Sequence, residues 1–434
     1  MSFVQGPNGE QVIPIKIDGI ALPVHDALLI PVESWKTTTH VQRRDLLPRT
    51  ADVIDSWVDR FVEVQVAETG CYEGRARFNV GNLTRGMREI ASHISHMATG
   101  ELPSLEVPGS IVLVYNEPVG PVLAIPPWNA AMVLSGRGMA APIGAGCSVM
   151  LKASELCPRT HHLIVQAYEE AGKPKGLINI VQAARGDGTA VTEAPVAHRS
   201  IRKIEFIGSA AVGRIIGQLS SKHLKPVLME LGGKAPAIVL KDADAKHAAG
   251  KIIQGMIMHH GQICMSTDRV VVVEDVAEEL ISELKMALAT TFAGKQGVAV
   301  SKKQAKRGQH LLLRAQAAGA RFIVGDASLN AEGTSLISTI VTDVKRTDEI
   351  FHEEIFSPAA ILTIVKDEAE AIEAGQIHIC ETTGYDEQTL PIGGTKDSGW
   401  ERKNGKYGFA EFLEEKPISI HDPAVSKNRF GDEK

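Results

Sequence analysis

The chain has 434 residues, of which 44% are hydrophobic and 23% are charged, and its 46 basic and 52 acidic side chains give a net charge of −6. This balance is typical of a globular protein of several domains and excludes the disordered, collagen-like and coiled-coil classes. A weakly acidic chain also argues against nucleic acid or an anionic membrane as a partner.

The sequence shows no apolar run long enough to span a membrane and no signal-type N-terminus, so we expect a cytoplasmic protein. The cysteines are odd in number, far apart and without a CxxC pair, which argues against a disulfide framework or a zinc knuckle. Two adjacent histidine pairs, His161-His162 and His259-His260, fall in predicted helices, where neighbouring side chains diverge. No metal site is therefore expected.

The first half of the chain predicts short strands, then helices, then an alternating α/β region. Residues 1–30 suit short edge strands, and apolar spacing predicts amphipathic helices over 38–68 and 83–99. From residue 110 two short strands flank Asn116-Glu117-Pro118. Strands then alternate with helices predicted over 160–171, 187–195 and 210–219, which indicates a mostly parallel sheet with ligand sites at the carboxyl ends of its strands.

A second α/β set begins after a join near Gly232-Gly233. Its helices are predicted over 244–259, 276–289 and 302–318, with strands between and after them. The final extended stretch, KPISIHD, predicts a strand that needs an edge to pair with, which another subunit could provide.

Three residues are candidates for chemistry. Cys264 lies in GQICMS at an element boundary among small residues, where backbone N–H groups and solvent favour a thiolate, although its position alone favours a buried structural cysteine. Glu230, in MELGGK, ends a strand before two glycines that permit close approach, although a surface acid is an alternative. Asn129, in IPPWNAA, has a Pro-braced amide, although a packing turn would look the same.

Together these stretches resemble the aldehyde dehydrogenase superfamily. PPWN, MELGGK, GQICMS and HEEIFSP occur in the order, and close to the separations, found in that family. The wording of NEPVGPVLAIPPWN, GQICMSTDRVVV and LPIGGTKDSGW is most similar to the salicylaldehyde and vanillin dehydrogenase branch, which implies an aromatic aldehyde as the substrate.

The resemblance implies a role for each candidate. Cys264 would attack the aldehyde to give a thiohemiacetal, which passes hydride to NAD(P)⁺ and becomes a thioester. Asn129 would donate to the oxyanion, together with the Cys264 backbone N–H. Glu230 would activate the water that hydrolyses the thioester. A CoA-acylating dehydrogenase is the less favoured alternative, because Glu230 supplies a base for hydrolysis.

Cofactor residues are implied in the same way. Lys152 and Glu155, in LKASE, would hold the adenosine ribose, and the Glu155 carboxylate would disfavour a 2′-phosphate, so NAD is expected rather than NADP. Gly208 and Ser209 would hold the pyrophosphate at a helix start. The remaining residues implied to line the cofactor site are Trp128, Glu354 and Phe356.

The implied architecture is α/β, with a Rossmann-type NAD-binding domain, an α/β catalytic domain and a small β oligomerisation element. The NAD-binding domain would comprise 1–104 and 120–231, and the catalytic domain 232–414. The oligomerisation element, 105–119 and 415–434, implies a homodimer or homotetramer.

The sequence departs from the family pattern in two places that bear on the site. Ser357 replaces the glycine that usually follows Phe356, and its side chain would crowd a turn of positive φ. The stretch near 366–376 is too short for the strand-helix unit that the family has there. The alternative function is therefore a catalytically impaired subunit of the same family that still binds NAD and forms oligomers.

Overall fold

The computed structural model describes residues 4–5, 11–12, 14–17, 20–23, 35–105, 110–184, 188–366 and 378–420. At the N-terminal end, four short strands form two antiparallel pairs, β1 (Val4–Gln5) with β2 (Gln11–Val12) and β3 (Pro14–Ile17) with β4 (Ile20–Pro23). The short strands predicted in this region are confirmed. No helix in the described residues is long and apolar enough to cross a membrane.

Three helices follow, α1 (His40–Ser56), α2 (Val58–Thr69) and α3 (Glu73–Met97). A capping box starts α1, because the Gln42 N–H donates to the Thr39 hydroxyl while the Gln42 side chain accepts from the Thr39 N–H. Helix α3 begins earlier than predicted, since Ala76 and Val80 extend its buried face toward the N-terminus.

Strand β5 (Ile111–Pro118) precedes the first large sheet. That sheet contains the parallel strands β6 (Val122–Ile125), β7 (Val149–Lys152), β8 (Ile178–Val181), β9 (Lys203–Gly208) and β10 (Val227–Leu231), in the order β10-β9-β6-β7-β8. Its connecting helices are α4 (Ala131–Ala145), α5 (Pro158–Glu170), α6 (Gly188–Ala197) and α7 (Ala210–Lys222). The predicted alternation is confirmed, and the carboxyl ends of these strands share one edge.

The second large sheet has the order β11-β12-β15-β14-β13, and only β13 runs antiparallel to its neighbour. Its strands are β11 (Pro236–Val239), β12 (Arg269–Val273), β13 (Arg321–Val324), β14 (Thr339–Thr342) and β15 (Ala359–Val365). Its helices are α8 (Ala245–Ile257), α9 (Glu274–Ala289), α10 (Lys302–Ala317) and α11 (Glu349–His352). Two α/β lobes are therefore present, as predicted.

The tail returns to the first lobe. Strand β16 (Gly399–Trp400) pairs antiparallel with β10, and α12 (Gly405–Ala410) packs on α3 and α4. Phe409 and Phe412 are fully buried in the same core as the N-terminal helices. The predicted catalytic domain, 232–414, thus ends in a segment that packs on the first lobe.

The last strand, β17 (Leu413–Ile420), pairs antiparallel with β5 along its whole length. The expectation that another subunit could provide its edge is corrected, since the partner strand belongs to the same chain. The sequence also placed a break at Asn116-Glu117-Pro118, whereas β5 continues through these residues because they face β17. The chain turns at 119–121 instead.

Of the stretch expected to be short, near 366–376, only residue 366 is described, and the rest lies outside the described residues. The described part that follows, 378–395, contains turns and one isolated bridge from Ile392 to Lys403 but no helix. This part of the chain therefore crosses between the lobes as irregular backbone. It brings Asp386 and Gln388 against α3.

Candidate active site

Cys264 lies in the loop that joins α8 to β12. Helix α8 stops at Ile257 because His259, His260 and Gly261 all have positive φ, 50°, 60° and 67°. A Cβ on Gly261 would lie 2.2 Å from the Ser357 carbonyl oxygen, so only glycine permits this approach. The prediction that His259 and His260 continue a helix is wrong, since this packing turns the chain there.

The two histidines are buried and neutral. Burial lowers the pKa of His259 to about 3 and that of His260 to about 4. No group of three or more His, Cys, Asp or Glu side chains in the described residues could hold a metal ion. Their place in the site is steric, because the His259 ring packs edge-on against Trp128 with ring centroids 6.1 Å apart.

The Cys264 thiol sits among carboxylates. Burial, followed by the charges of Glu230, Glu354 and Asp386, raises the pKa of Cys264 to about 12, while its own backbone N–H acts in the opposite direction. The thiol is therefore protonated at neutral pH. These charge effects also show that two of the predicted site residues, Glu230 and Glu354, lie close enough to the sulfur to influence its pKa.

Asn129 is fixed next to the cysteine loop. It follows β6 and the Pro126-Pro127 pair, and its Nδ2 donates to the Gln262 carbonyl oxygen at 3.0 Å. Gln262 is itself held on both sides, since its Nε2 donates to the His259 carbonyl at 2.9 Å and its Oε1 accepts from the Val300 N–H at 2.9 Å. The amide of Asn129 has a second N–H, which remains for a ligand.

Glu230 is the penultimate residue of β10, between β9 and β16. Its Oε1 is buried with no hydrogen-bond partner, and its Oε2 lies 3.9 Å from Lys403 Nζ. Burial raises the pKa of Glu230, and the ammonium of Lys403 opposes that shift. Lys403 also contacts the buried carboxylate of Glu205, so the base candidate belongs to a three-membered charge cluster.

Sequence reasoning missed a second buried cluster. Arg137 on α4 pairs with Asp386 at 2.6 Å, and Asp386 also accepts from Asn82 at 3.2 Å and from Asn404 at 3.1 Å. These residues come from four separate parts of the chain, and none belongs to a motif that the sequence exposes. Only the fold brings them together, and it places Asp386 near Cys264.

A cleft of about 1420 Å³ opens at the carboxyl edge of the first sheet. Its far wall is formed by the N-terminal half of α10, where Gln304 and Arg307 lie. Five of the predicted cofactor residues line it: Trp128, Lys152, Glu155, Gly208 and Ser209. Glu354 and Phe356 lie beside this cleft rather than in its lining.

The residues in the cleft have distinct electrostatic settings. Lys152 ends β7 half-buried, where burial lowers its pKa and the exposed carboxylate of Glu155 opposes the shift. Ser209 is the N-cap of α7, and its hydroxyl accepts from the Val212 N–H at 3.4 Å. An exposed helix N-terminus of this kind favours an anion.

Glu354 and Phe356 are held by α10. Arg307 donates to the carbonyl oxygens of Glu354 and Ile355 at 3.0–3.1 Å, and Gln304 donates to that of Phe356 at 3.1 Å. The Phe356 ring packs edge-on against Trp128 at 5.9 Å between centroids. The positive φ falls on Phe356 (54°), not on Ser357. The Ser357 hydroxyl lies against Gly308, where a Cβ would come within 2.2 Å of it.

The Glu354 carboxylate lies against the glycine pair that the sequence singled out. A Cβ on Gly232 would lie 2.2 Å from Glu354 Oε2, and the Gly233 N–H donates to this carboxylate. Burial and the charge of Asp268 raise the pKa of Glu354 to about 8. The close approach predicted for these glycines is therefore confirmed, with a side chain of the second lobe as the approaching group.

Comparison with known proteins agrees with this architecture. The model of the aldehyde dehydrogenase family matches residues 29–374 and 369–418, two pieces that meet where the sequence is short. Vanillin dehydrogenase of Pseudomonas fluorescens is 33% identical over 425 residues, 90% of this chain and 87% of that protein. Salicylaldehyde dehydrogenase of Pseudomonas putida is 34% identical over 425 residues, 89% of this chain and 87% of that protein.

Solved structures show the same likeness. A salicylaldehyde dehydrogenase from Pseudomonas putida G7, complexed with salicylaldehyde, superposes with a TM-score of 0.88 at 31% identity and covers 97% of both chains. A betaine aldehyde dehydrogenase from Staphylococcus aureus in complex with NAD⁺ shares the fold, with a TM-score of 0.86 over 96% of this chain and 93% of that one. This chain belongs to the aldehyde dehydrogenase family and is an oxidoreductase.

Proposed function

We propose that this protein oxidises an aromatic aldehyde to its carboxylic acid with NAD⁺ as the hydride acceptor. The observation that carries the proposal is the grouping of Cys264, Asn129 and Glu230 beside a cleft of dinucleotide size. The aromatic preference is supported by the similarity to vanillin and salicylaldehyde dehydrogenases. NADH formation from NAD⁺ and benzaldehyde tests the proposal.

The first step is attack by Cys264 on the aldehyde carbon. The thiol proton passes to solvent, the sulfur bonds to the carbon, and the electron pair of the broken C=O π bond makes the carbonyl oxygen an alkoxide. The free N–H of the Asn129 amide and the backbone N–H of Cys264 would both donate to that oxygen. Because the Asn129 amide is locked onto Gln262, it needs little reorganisation as the negative charge forms.

The second step is hydrolysis of the Cys264 thioester. Glu230 has one carboxylate oxygen without a partner, so this atom is free to take a proton from water. The water oxygen then bonds to the acyl carbon, and the Cys264 sulfur leaves as a thiolate. Lys403 supports the charged form of Glu230, since its ammonium opposes the effect of burial on the pKa of Glu230.

The cleft fits a dinucleotide in size and in chemistry. Lys152 and Glu155 line the cleft and would hold the ribose hydroxyls, and the exposed N-terminus of α7 would bind the pyrophosphate. Trp128, Phe356 and Glu354 would seat the nicotinamide end. When bound, NAD⁺ would supply the acceptor for the hydride that the alkoxide-bearing carbon loses as the Cys264 thioester forms. Family members use NAD or NADP, and Glu155 is the feature that favours NAD here.

Replacing Glu155 with Gln is expected to weaken the preference for NAD. The variant removes one negative charge that would face a 2′-phosphate, so kcat/KM with NADP should rise roughly tenfold relative to NAD. Steady-state kinetics with both cofactors measure the ratio. Glu170→Gln, which changes an exposed carboxylate on α5, is the matched control and should leave it unchanged. If Glu155→Gln does not change the ratio of kcat/KM with NADP to that with NAD, Glu155 does not determine the choice of cofactor.

We further propose that the β5/β17 ribbon associates with another copy of the chain. Ile111, Leu113, Ile418 and Ile420 are 38–54% exposed on it, an apolar surface that a monomer would leave in water. β5 and most of β17 lie within the pieces assigned to the oligomerisation element, 105–119 and 415–434. Light scattering is expected to give a dimer or tetramer, which Leu113→Lys with Ile418→Lys should convert to a monomer. A monomeric parent protein contradicts the assignment.

A further inference from the structure

Three buried cations near the candidate site are paired with carboxylates in the part of the chain that the structure describes. Each of three ammonium or guanidinium groups contacts a buried carboxylate directly. The pairs are Arg137 with Asp386 at 2.6 Å, Lys234 with Asp268 at 3.0 Å, and Lys403 with Glu205. Such pairing is the usual condition for a charge removed from water. A cation in this region that lacks a carboxylate therefore calls for an explanation.

Arg75, in the first turn of α3, is that cation. Within the described residues its guanidinium forms no ion pair, and its one hydrogen bond is from Nη1 to the Met258 sulfur at 3.3 Å, a weak acceptor. Its Nε is buried and has no partner. The Phe78 ring lies 5.1 Å from the guanidinium carbon, which gives one face of the group a cation–π contact but leaves its N–H edge unsatisfied.

The position of Arg75 connects it to the reacting cysteine. Both Cys264 and Asp386 interact electrostatically with Arg75, and its neighbour Met258 begins the turn that leads to Cys264. Arg75 also shares a face of α3 with Asn82, which donates to Asp386. None of these residues lines the cofactor cleft, so Arg75 lies near Cys264 but outside that cleft.

We propose that Arg75 binds an anionic substituent, a carboxylate or an ionised phenol, on the aldehyde that Cys264 attacks. The proposal rests on the proposed function and adds the class of substrate. A guanidinium presents several N–H donors in one plane and matches a carboxylate in two-point contact, which would satisfy the Nε atom. Arg137 neutralises the charge of Asp386, so this nearby carboxylate would not repel the bound anion.

The test compares charged substrates with neutral analogues of similar size. The wild-type enzyme is expected to show a lower KM for 3- or 4-carboxybenzaldehyde than for the corresponding methyl esters. Arg75→Met should reduce the kcat/KM for the carboxylates roughly 10–100-fold more than for the esters, mainly through KM. Arg75→Lys should restore part of the difference. Any general loss from altered packing cancels in the carboxylate-to-ester ratio.

Arg77→Met is the matched control. Arg77 lies on the same helix but is exposed and pairs with Asp59 and Glu73, so its loss should leave the ratio unchanged. A phenol arm, 3-hydroxybenzaldehyde against 3-methoxybenzaldehyde on either side of the phenol's pKa, tells which anion is preferred. An equal loss for charged and neutral substrates in Arg75→Met, or no preference in the wild type, overturns the proposal.

Calorimetry separates this inference from the proposed function. Binding of 4-carboxybenzaldehyde and of its methyl ester to the Cys264→Ala protein needs no turnover. Tighter binding of the carboxylate, lost in the added Arg75→Met variant, supports the Arg75 site even if no NADH forms. Equal binding of the two compounds refutes it while leaving aldehyde oxidation untouched.

Discussion

Replacing Cys264 with Ala is expected to abolish NADH formation, with a loss of at least about 10⁴-fold in kcat. No other cysteine can replace it, since Cys71, Cys147 and Cys157 are buried elsewhere and Cys380 is exposed. Because Ala removes one small atom from a half-buried loop, NAD binding and thermal stability should stay close to those of the parent protein. The absorbance of NADH measures turnover, and calorimetry measures NAD binding and thermal stability.

Cys380→Ala is the matched control and should keep full activity. Alkylation adds a pH test, because a thiol with its pKa raised to about 12 gains thiolate as the pH increases. In the ligand-free enzyme the iodoacetamide rate at Cys264 should therefore increase about tenfold per pH unit between roughly pH 7 and 10. Residual NADH formation by Cys264→Ala at a rate near that of the parent would contradict the assignment of the nucleophile.

Replacing Glu230 with Gln is expected to leave one rapid turnover and slow the rest. Attack by Cys264 and hydride transfer should proceed, giving a burst of about one NADH per active site. Hydrolysis of the thioester should then fall about 10²–10⁴-fold, because Gln cannot accept the proton of the attacking water. Stopped-flow absorbance at the NADH band records both phases, and mass spectrometry should detect the acyl group on Cys264.

The burst itself is the control for folding in Glu230→Gln, since it requires an intact cysteine and cofactor site. Loss of the burst together with the steady state would mean that Glu230 acts before the thioester forms. An unchanged steady-state rate would exclude it as the base. Lys403→Met offers a second check, because the Lys403 ammonium lowers the pKa of Glu230 and its removal should move the acid limb of hydrolysis to higher pH.

Local patterns were sufficient to predict the sheets and the ends of the strands that carry the site. The alternation of strands and helices placed Glu230 near the carboxyl end of a strand, and the structure has it there, one residue before the end of β10. The structure also confirms the close approach at Gly232. These features depend on short-range sequence chemistry, so sequence reasoning reaches them.

Contacts between distant segments were beyond sequence reasoning. The helical spacing of 244–259 continues through the two histidines, but Gly261 packs on Ser357 and forces a left-handed turn at His259 and His260. The Arg137–Asp386 pair joins positions separated by 249 residues, and Lys403 reaches Glu205 across 198. No local pattern marks such partners, because their charges look solvated until the fold buries them.

The most direct test of the account is NADH formation by the purified protein with NAD⁺ and benzaldehyde, with calorimetric NAD binding on the same sample. We predict that NAD binds and that NADH and benzoic acid form in equal amounts, with both products lost in Cys264→Ala. A folded sample that binds NAD but forms no NADH from aromatic aldehydes would contradict the account. That result would favour a catalytically impaired subunit of the family.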